Sequence, residues 1–248
     1  MLHLHFNPDT DLTKILAPEA LKMFQFEWGI YHKLVRSNEM QHREIGRLLR
    51  QEIDGRFDRP FAFLDLACGD SSLAHTILRG TQVARYEGID LSRPALECGA
   101  RVMQDVSYDV TLSEEDMVSG ALARPDSADV VWCGFSVHHL KRPQKLDMLK
   151  AVRRALKPGG IFVTAEPVCR TGETREDYTG RWHIELRTRF RSLSDEEFDH
   201  LWQHIRRYDY PEPPEDWILM GEEAGFRSSR QIYGFPGDLF CAAFLYEV

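Results

Sequence analysis

The sequence predicts an α/β protein built on one mostly parallel sheet of seven strands, with helices on both faces. Three observations predict it. Between residues 61 and 166, short apolar runs of strand type alternate with segments of helical periodicity. The first of these runs, FAFLDL, ends in Asp65 and passes at once into a small-residue turn, Ala67-Cys68-Gly69, and a polar helix start. Past a long helical stretch, the chain closes on two more strand-like runs, 226–233 and 239–246, which read as a terminal pair with an antiparallel strand.

The elements follow in order. Residues 18–37 place Leu21, Phe24, Trp28, Tyr31 and Val35 near one helical face, with Pro18 at a permitted first-turn position. A second helix fits 39–53 through Ile45, Leu48, Leu49 and Ile53. Then the alternation begins. Strands are expected at 61–66, 86–90, 106–111, 129–133 and 161–165. Helices are expected at 71–79, 94–104, with Ser92 as N-cap, and 143–156. Lys157-Pro158-Gly159-Gly160 reads as a turn. After Glu166 the alternation breaks. Trp182, Leu186, Phe190 and Leu193 recur at helical spacing, and Ser194 to Glu197 forms a capping box ahead of Phe198, Leu201, Trp202 and Ile205. This is a helical insertion after the fifth strand. The run Pro211-Glu212-Pro213-Pro214 closes it, and a helix near 217–224 leads into the terminal strands.

Length and composition bound the rest. A chain of 248 residues, 43% hydrophobic and 28% charged, suits a single soluble domain with a full core. Within it, residues 1–55 read as a helical cap, 56–166 as the core, 167–215 as an insertion forming a lid, and 216–248 as the terminal helix and strand pair. No apolar run approaches the ~20 residues of a membrane helix, and the N-terminus lacks a signal-peptide layout. A net charge of −8 argues against a nucleic-acid face. The five cysteines are scattered without ligand spacing, so no metal site and no disulfide framework is expected, and a reducing cytoplasm is the natural setting.

In open α/β sheets, ligands sit beyond the carboxyl ends of the strands. Those ends carry Asp65 with the Ala67–Asp70 loop, then Asp90, then Asp116-Met117, then Cys133-Gly134 followed by His138-His139, and finally Glu166. A small-residue loop at a helix start brings backbone N–H groups close to a ligand, and a carboxylate such as Asp90 can accept both hydroxyls of a ribose. The dinucleotide fingerprint is not met, because only Gly69 of the three required glycines is present. The P-loop pattern is absent as well.

LDLACGDSS, EGIDLS, EEDM, DVVWCGFSVHHL and LKPGG, in this order, resemble the successive motifs of the class I S-adenosylmethionine-dependent methyltransferases. The resemblance covers residues 61–166 closely and implies a three-layer Rossmann-like sandwich that binds S-adenosyl-L-methionine. The family's GxGxG loop is altered here to Ala67, Gly69 and Ser71, with Ser71 expected to cap the following helix. The resemblance implies that Asp65 orients the loop, that Ala67, Cys68, Gly69 and Asp70 line the methionine part, and that Asp90 binds the ribose. It sets Leu91 against the adenine, with Asp116 and Met117 at its amino group and ring edge. It also brings the Cys133-Gly134 backbone to the cofactor's amino group. Each carboxylate has a plainer reading as a helix cap or turn anchor.

The expected reaction is in-line methyl transfer to a small-molecule acceptor, with no membrane or nucleic-acid partner. His138, His139, Glu166 and Tyr31 are the candidate bases should the acceptor have to lose a proton. Tyr31, Arg36, His138, Arg181 and Trp182 are the candidate acceptor contacts. The segment 181–191 holds four arginines against one glutamate, so an anionic acceptor held by Arg181 and Arg187 is one expectation. A solvated helix with its aromatics in the core is the other. Two further functions stay open: a non-catalytic cofactor-binding partner protein, and transfer of another group from a modified cofactor, for which Arg36 could serve an added carboxylate.

Overall fold

The computed structural model describes residues 1–6, 28–235 and 238–248. The expected helical face at 18–27, with Pro18, Leu21 and Phe24, lies outside them. Eight strands form one sheet: β1 (Leu2–Phe6), β2 (Phe61–Leu66), β3 (Val83–Asp90), β4 (Asp109–Glu114), β5 (Ala128–Gly134), β6 (Leu156–Pro167), β7 (Ser228–Phe235) and β8 (Asp238–Glu247). Their order is β1-β4-β3-β2-β5-β6-β8-β7. From β1 to β6 all neighbours run parallel, and β8 runs antiparallel to both β6 and β7. This is the Rossmann-like sandwich the sequence predicts, with one strand more than the seven expected. The extra strand, LHLHF, pairs along β4 from Leu2↔Val110 to Phe6↔Glu114. Its alternation is a strand signal, but its side chains stand at the sheet edge with Leu4 still 42% exposed, so no core burial marks it.

The helices are α1 (Trp28–Ser37), α2 (His42–Asp54), α3 (Ser72–Leu78), α4 (Arg93–Val102), α5 (Met117–Leu122), α6 (Arg142–Ala155), α7 (Arg175–Arg189), α8 (Asp195–Tyr208) and α9 (Pro214–Glu223). Burial on both faces explains why FAFLDL has no polar alternation: every residue of β2 is buried. Phe61 and Phe63 share one cluster with Ile45, Leu49 and Ile53 of α2. Leu64 and Leu66 share the other with Met148, Leu149 and Val152 of α6. Each such side chain contributes about 1.5–3 kcal/mol on burial, so β2 is fixed between two layers and its carboxyl end has one position.

Three local expectations are corrected. The strand expected at 106–111 lies at 109–114, because pairing with β3 sets its register from Arg85↔Asp109 to Asp90↔Glu114. Lys157–Gly160 is no free turn: β6 begins at Leu156, and the four residues form an irregularity between the pairs Ala128↔Leu156 and Val130↔Ile161. Ser71 makes no side-chain cap on α3. Its φ is +59°, and its hydroxyl is 2.9 Å from Tyr86 Oη, while Asp70 Oδ1 takes the Ser72 N–H at 3.0 Å. The other two caps are as read. Ser92 accepts from Ala95 N, and Ser194 and Glu197 form the reciprocal box at the start of α8. Among the described residues no helix is long and apolar enough to cross a membrane.

Candidate functional site

The loop after β2 sets the site. Ala67, Gly69 and Ser71 have φ values of +55°, +56° and +59°, all left-handed. These are the three positions of the GxGxG pattern, so the loop keeps a glycine-type path although two of its glycines are replaced. Each non-glycine residue there costs about 1–2 kcal/mol, and the surroundings hold the loop in place. Cys68 N donates to Ile89 O at 2.9 Å and Gly69 N to Asp90 Oδ2 at 2.8 Å. Beneath it, the Tyr86 hydroxyl donates to Asp65 Oδ2 at 2.8 Å. Burial raises the Asp65 carboxyl to about 8, against the Tyr86 hydrogen bond, with Asp90 and Asp70 pushing the same way as burial. Gly88, opposite Asp65 in β3, leaves room for this chain: a Cβ there would come within 2.9 Å of Cys68 Sγ and 3.0 Å of Tyr86 Oη.

Above the loop lies a cavity of about 190 Å³. Its floor is Ala67, Cys68, Gly69, Asp70, Asp90 and Gly134, and its walls come from α1, α2, α7 and α8. Asp90 accepts from Gly69 N and from Ser92 N (2.7 Å), one bond on each oxygen. A carboxylate has about four acceptor positions, so acceptor capacity remains for a ribose hydroxyl. At the end of β5, Gly134 packs over Trp132, where a Cβ would meet the indole at 2.4 Å. These groups fit the adenosine and methionine parts of the implied cofactor.

Not every expected contact reaches the cavity. Asp65 and Cys133 are buried beneath it and are not among its lining residues; neither are Leu91, Asp116 and Met117. Asp116 caps α5, with Oδ1 accepting from Val118 N, Ser119 N and Ser119 Oγ. Of the acceptor candidates, Tyr31, His138 and Trp182 line the cavity, and Arg36 and Arg181 do not. Arg36 is exposed on α1. The Arg181 guanidinium is committed to Glu173 at 2.7 and 2.8 Å and to Glu185 at 2.9 Å, and Arg187 pairs with Asp195 at 2.7 Å. Arg181 and Arg187 are thus paired locally, Arg189 stacks over the Phe240 ring at 4.4 Å, and no lysine or arginine is among the described lining residues.

Of the candidate bases, Glu166 is fully buried and engaged. It accepts from Val137 N at 3.0 Å, His138 N at 3.2 Å and Thr164 Oγ1 at 3.2 Å, and stands 2.6 Å from His138 Nδ1. It positions His138 and does not line the cavity. Tyr31 Oη is 3.0 Å from His42 Nε2. Burial lowers His42 to about 4, so its ring is neutral. Burial also acts to lower His138, but Asp209 and Glu166 outweigh it and the net shift is upward.

Several lining residues were not legible in the sequence. Phe135 holds a left-handed φ of +53° beside Gly134, a strained conformation for a bulky residue, and its ring lies 5.0 Å from His42. Asp209 enters from the end of α8. Lys145, with no exposed surface, fixes the segment behind it by donating to Tyr210 O and to Glu212 Oε1 at 2.9 Å. A buried lysine on a helix otherwise carrying apolar residues inward was the available signal.

Residues 63–160 match the family described as Methyltransferase domain. A protein of Aspergillus luteorubrus named probable methyltransferase ltbC is 28% identical over 50% of this chain and 48% of its own length. A ubiquinone biosynthesis O-methyltransferase of Serratia proteamaculans is 31% identical over 44% of this chain and 43% of its own. This chain thus spans about half the length, or less, of these curated relatives. In fold, it is similar to the S-adenosylmethionine-dependent methyltransferase SibL, with a TM-score of 0.58 and 19% identity over 83% of this chain and 55% of that one. The α/β core is thus similar in sequence to methyltransferase domains, and the fold is similar to that of a solved S-adenosylmethionine-dependent methyltransferase.

Proposed function

We propose that this protein binds S-adenosyl-L-methionine on the floor of the cavity and passes its methyl group to a small, uncharged acceptor of ring type. The observation that carries the acceptor half is the wall. Tyr31, His42, Phe135, Trp182, Phe190 and Phe240 present rings to the cavity, and the charged groups described there are Asp70, Asp90 and Asp209, apart from histidines. An anionic acceptor would lose its hydration without gaining a cationic partner among these groups. Trp182 Nε1 is buried with no hydrogen-bond acceptor among the described residues, so it offers a donor to a neutral oxygen on the acceptor.

When bound, the cofactor supplies a methyl group made electrophilic by a sulfonium. The chain supplies position. The left-handed Ala67–Ser71 loop brings backbone against the methionine part, Asp90 takes a ribose hydroxyl, and the Gly134 backbone meets the amino group. Leu91, Asp116 and Met117 lie outside the cavity lining, so they serve the adenine only where it extends past Asp90 beyond the cavity. Asp65 acts from below through Tyr86 and Ser71. Helices α1, α7 and α8 cover the cavity as a lid, so donor and acceptor meet aligned and away from water, which is where most of the rate arises. The whole chain then acts as one methyltransferase domain on a small molecule.

The O-methyl transfer in the name of the Serratia relative makes a ring hydroxyl the first acceptor to test. The experiment is release of S-adenosylhomocysteine from a panel of phenols and hydroquinones and their carboxylated or phosphorylated counterparts. Turnover on the neutral members supports the reading. Turnover confined to the anionic members would reject the uncharged acceptor, and cofactor binding with no turnover on any member would favour the non-catalytic alternative.

A further inference from the structure

At the lid side of the cavity, three side chains converge from distant parts of the chain. His138 and His139 come from the 3-10 turn (Val137–His139) after β5, and Asp209 comes from the end of α8. One atom of each, His138 Nε2, His139 Nδ1 and Asp209 Oδ1, lies within 4.8 Å of the other two. Asp209 Oδ1 stands 3.8 Å from His138 Nε2 and 3.4 Å from His139 Nδ1. Asp209 is 2% exposed, and this oxygen takes no well-aligned hydrogen bond. Separations of this size are long for hydrogen bonds. They are close to the ~3.4 Å between neighbouring ligands of a four-coordinate ion with bonds of ~2.1 Å.

The surroundings favour an ion over an accident of packing. Glu166 Oε2 lies 2.6 Å from His138 Nδ1, which leaves Nε2, on the Asp209 side, as the ring atom that gives up its proton to an entering cation. A carboxylate behind a ligating imidazole is the arrangement that fixes ring orientation at metal sites. With an ion bound and both imidazoles deprotonated to their neutral form to serve it, Asp209 and Glu166 leave a charge of −2, which a divalent ion neutralises. All three ligand residues line the cavity. The sequence gives no such signal, because Asp209 is contributed by the insertion, far along the chain from the histidine pair.

We propose that His138, His139 and Asp209 form a site for a divalent transition ion of zinc type, with an open position facing the acceptor pocket. An oxygen ligand on the acceptor, such as a hydroxyl, fits that position. The proposal shares the cavity with the methyl-transfer reading but does not rest on it, and its test uses neither cofactor nor acceptor.

The test is calorimetric titration of the chelator-treated protein with Zn²⁺, and separately with Co²⁺ followed by visible absorption. One equivalent should bind with a Kd of micromolar or tighter, and Co²⁺ should give the intense bands of a four- or five-coordinate site. His139→Ala and Asp209→Asn should each weaken binding at least tenfold, and Glu166→Gln by roughly 10–100-fold. His200→Ala, at an exposed histidine on α8, should leave it within threefold. Circular dichroism checks that each variant is folded, and Asp209→Asn keeps the shape of the side chain if His139→Ala fails. No binding at millimolar Zn²⁺, octahedral-type Co²⁺ bands, or undiminished affinity in folded His139→Ala or Asp209→Asn would overturn the proposal.

Discussion

Replacing Asp90 by alanine should separate the cofactor seat from the rest of the fold. Its two oxygens accept backbone bonds from Ser92 N at 2.7 Å and Gly69 N at 2.8 Å, and the residue lines the cavity. A hydroxyl bond to a charged acceptor is worth roughly 1.5–3 kcal/mol. The upper figure, about 3 kcal/mol, is roughly 100-fold in Kd. The variant also leaves two loop N–H groups without their acceptor, so stability should fall by about 1–3 kcal/mol per group at most. The assay is calorimetric titration with S-adenosylhomocysteine, held well below the melting temperature of the variant. Asp90→Asn keeps one carbonyl oxygen and should fall between alanine and wild type. Binding by folded Asp90→Ala within threefold of wild type would refute the assignment of Asp90 to the cofactor.

Other consequences follow from the same geometry. His42 is held to about 4 by burial, whereas the unfolded side chain titrates near 6.5, so on acidification the unfolded state takes the proton first. Its contribution is intact above pH 6.5 and is lost as pH falls toward 4, reaching about 2 kcal/mol at pH 5; His42→Gln should flatten a pH series of denaturant melts by that amount, and an unchanged slope would count against it. Ala67→Gly relieves a left-handed residue and should change stability by less than ~1 kcal/mol with cofactor affinity preserved, whereas Ala67→Val, β-branched at positive φ, should cost more than ~2 kcal/mol in the same melts. Arg181→Ala should leave the acceptor KM within twofold, since its partners are Glu173 and Glu185; a KM raised only for anionic acceptors would restore the reading now set aside. Lys145→Met strips a buried cation from Tyr210 and Glu212 and should cost about 3 kcal/mol by thermal melting.

The core was legible because its signals are local and repeated. A fully buried parallel strand reads as an apolar run, its end is marked by Asp65 or Asp90, and the following helix shows its period. What the sequence hides is decided at a distance. The register of β4 depends on β3, which moved the strand three residues from where its own apolar residues suggested. Ser71 looked like a cap because serine before a helix usually is one, but its left-handed backbone turns the hydroxyl toward Tyr86. The arginines of α7 looked available for an anion because Glu173, which holds Arg181, lies before the helix begins. Asp209 meets His138 and His139 only once the insertion folds back over the sheet. The loop itself shows both sides: Ala67 and Ser71 depart from the glycine pattern, yet the backbone keeps the path those glycines would take.

The central claim is that this loop and Asp90 form a seat for S-adenosyl-L-methionine. The most direct measurement is calorimetric titration of the wild-type protein with S-adenosylmethionine and with S-adenosylhomocysteine. One equivalent of each should bind, with Kd values in the micromolar range. No binding of either at millimolar concentration would contradict the account.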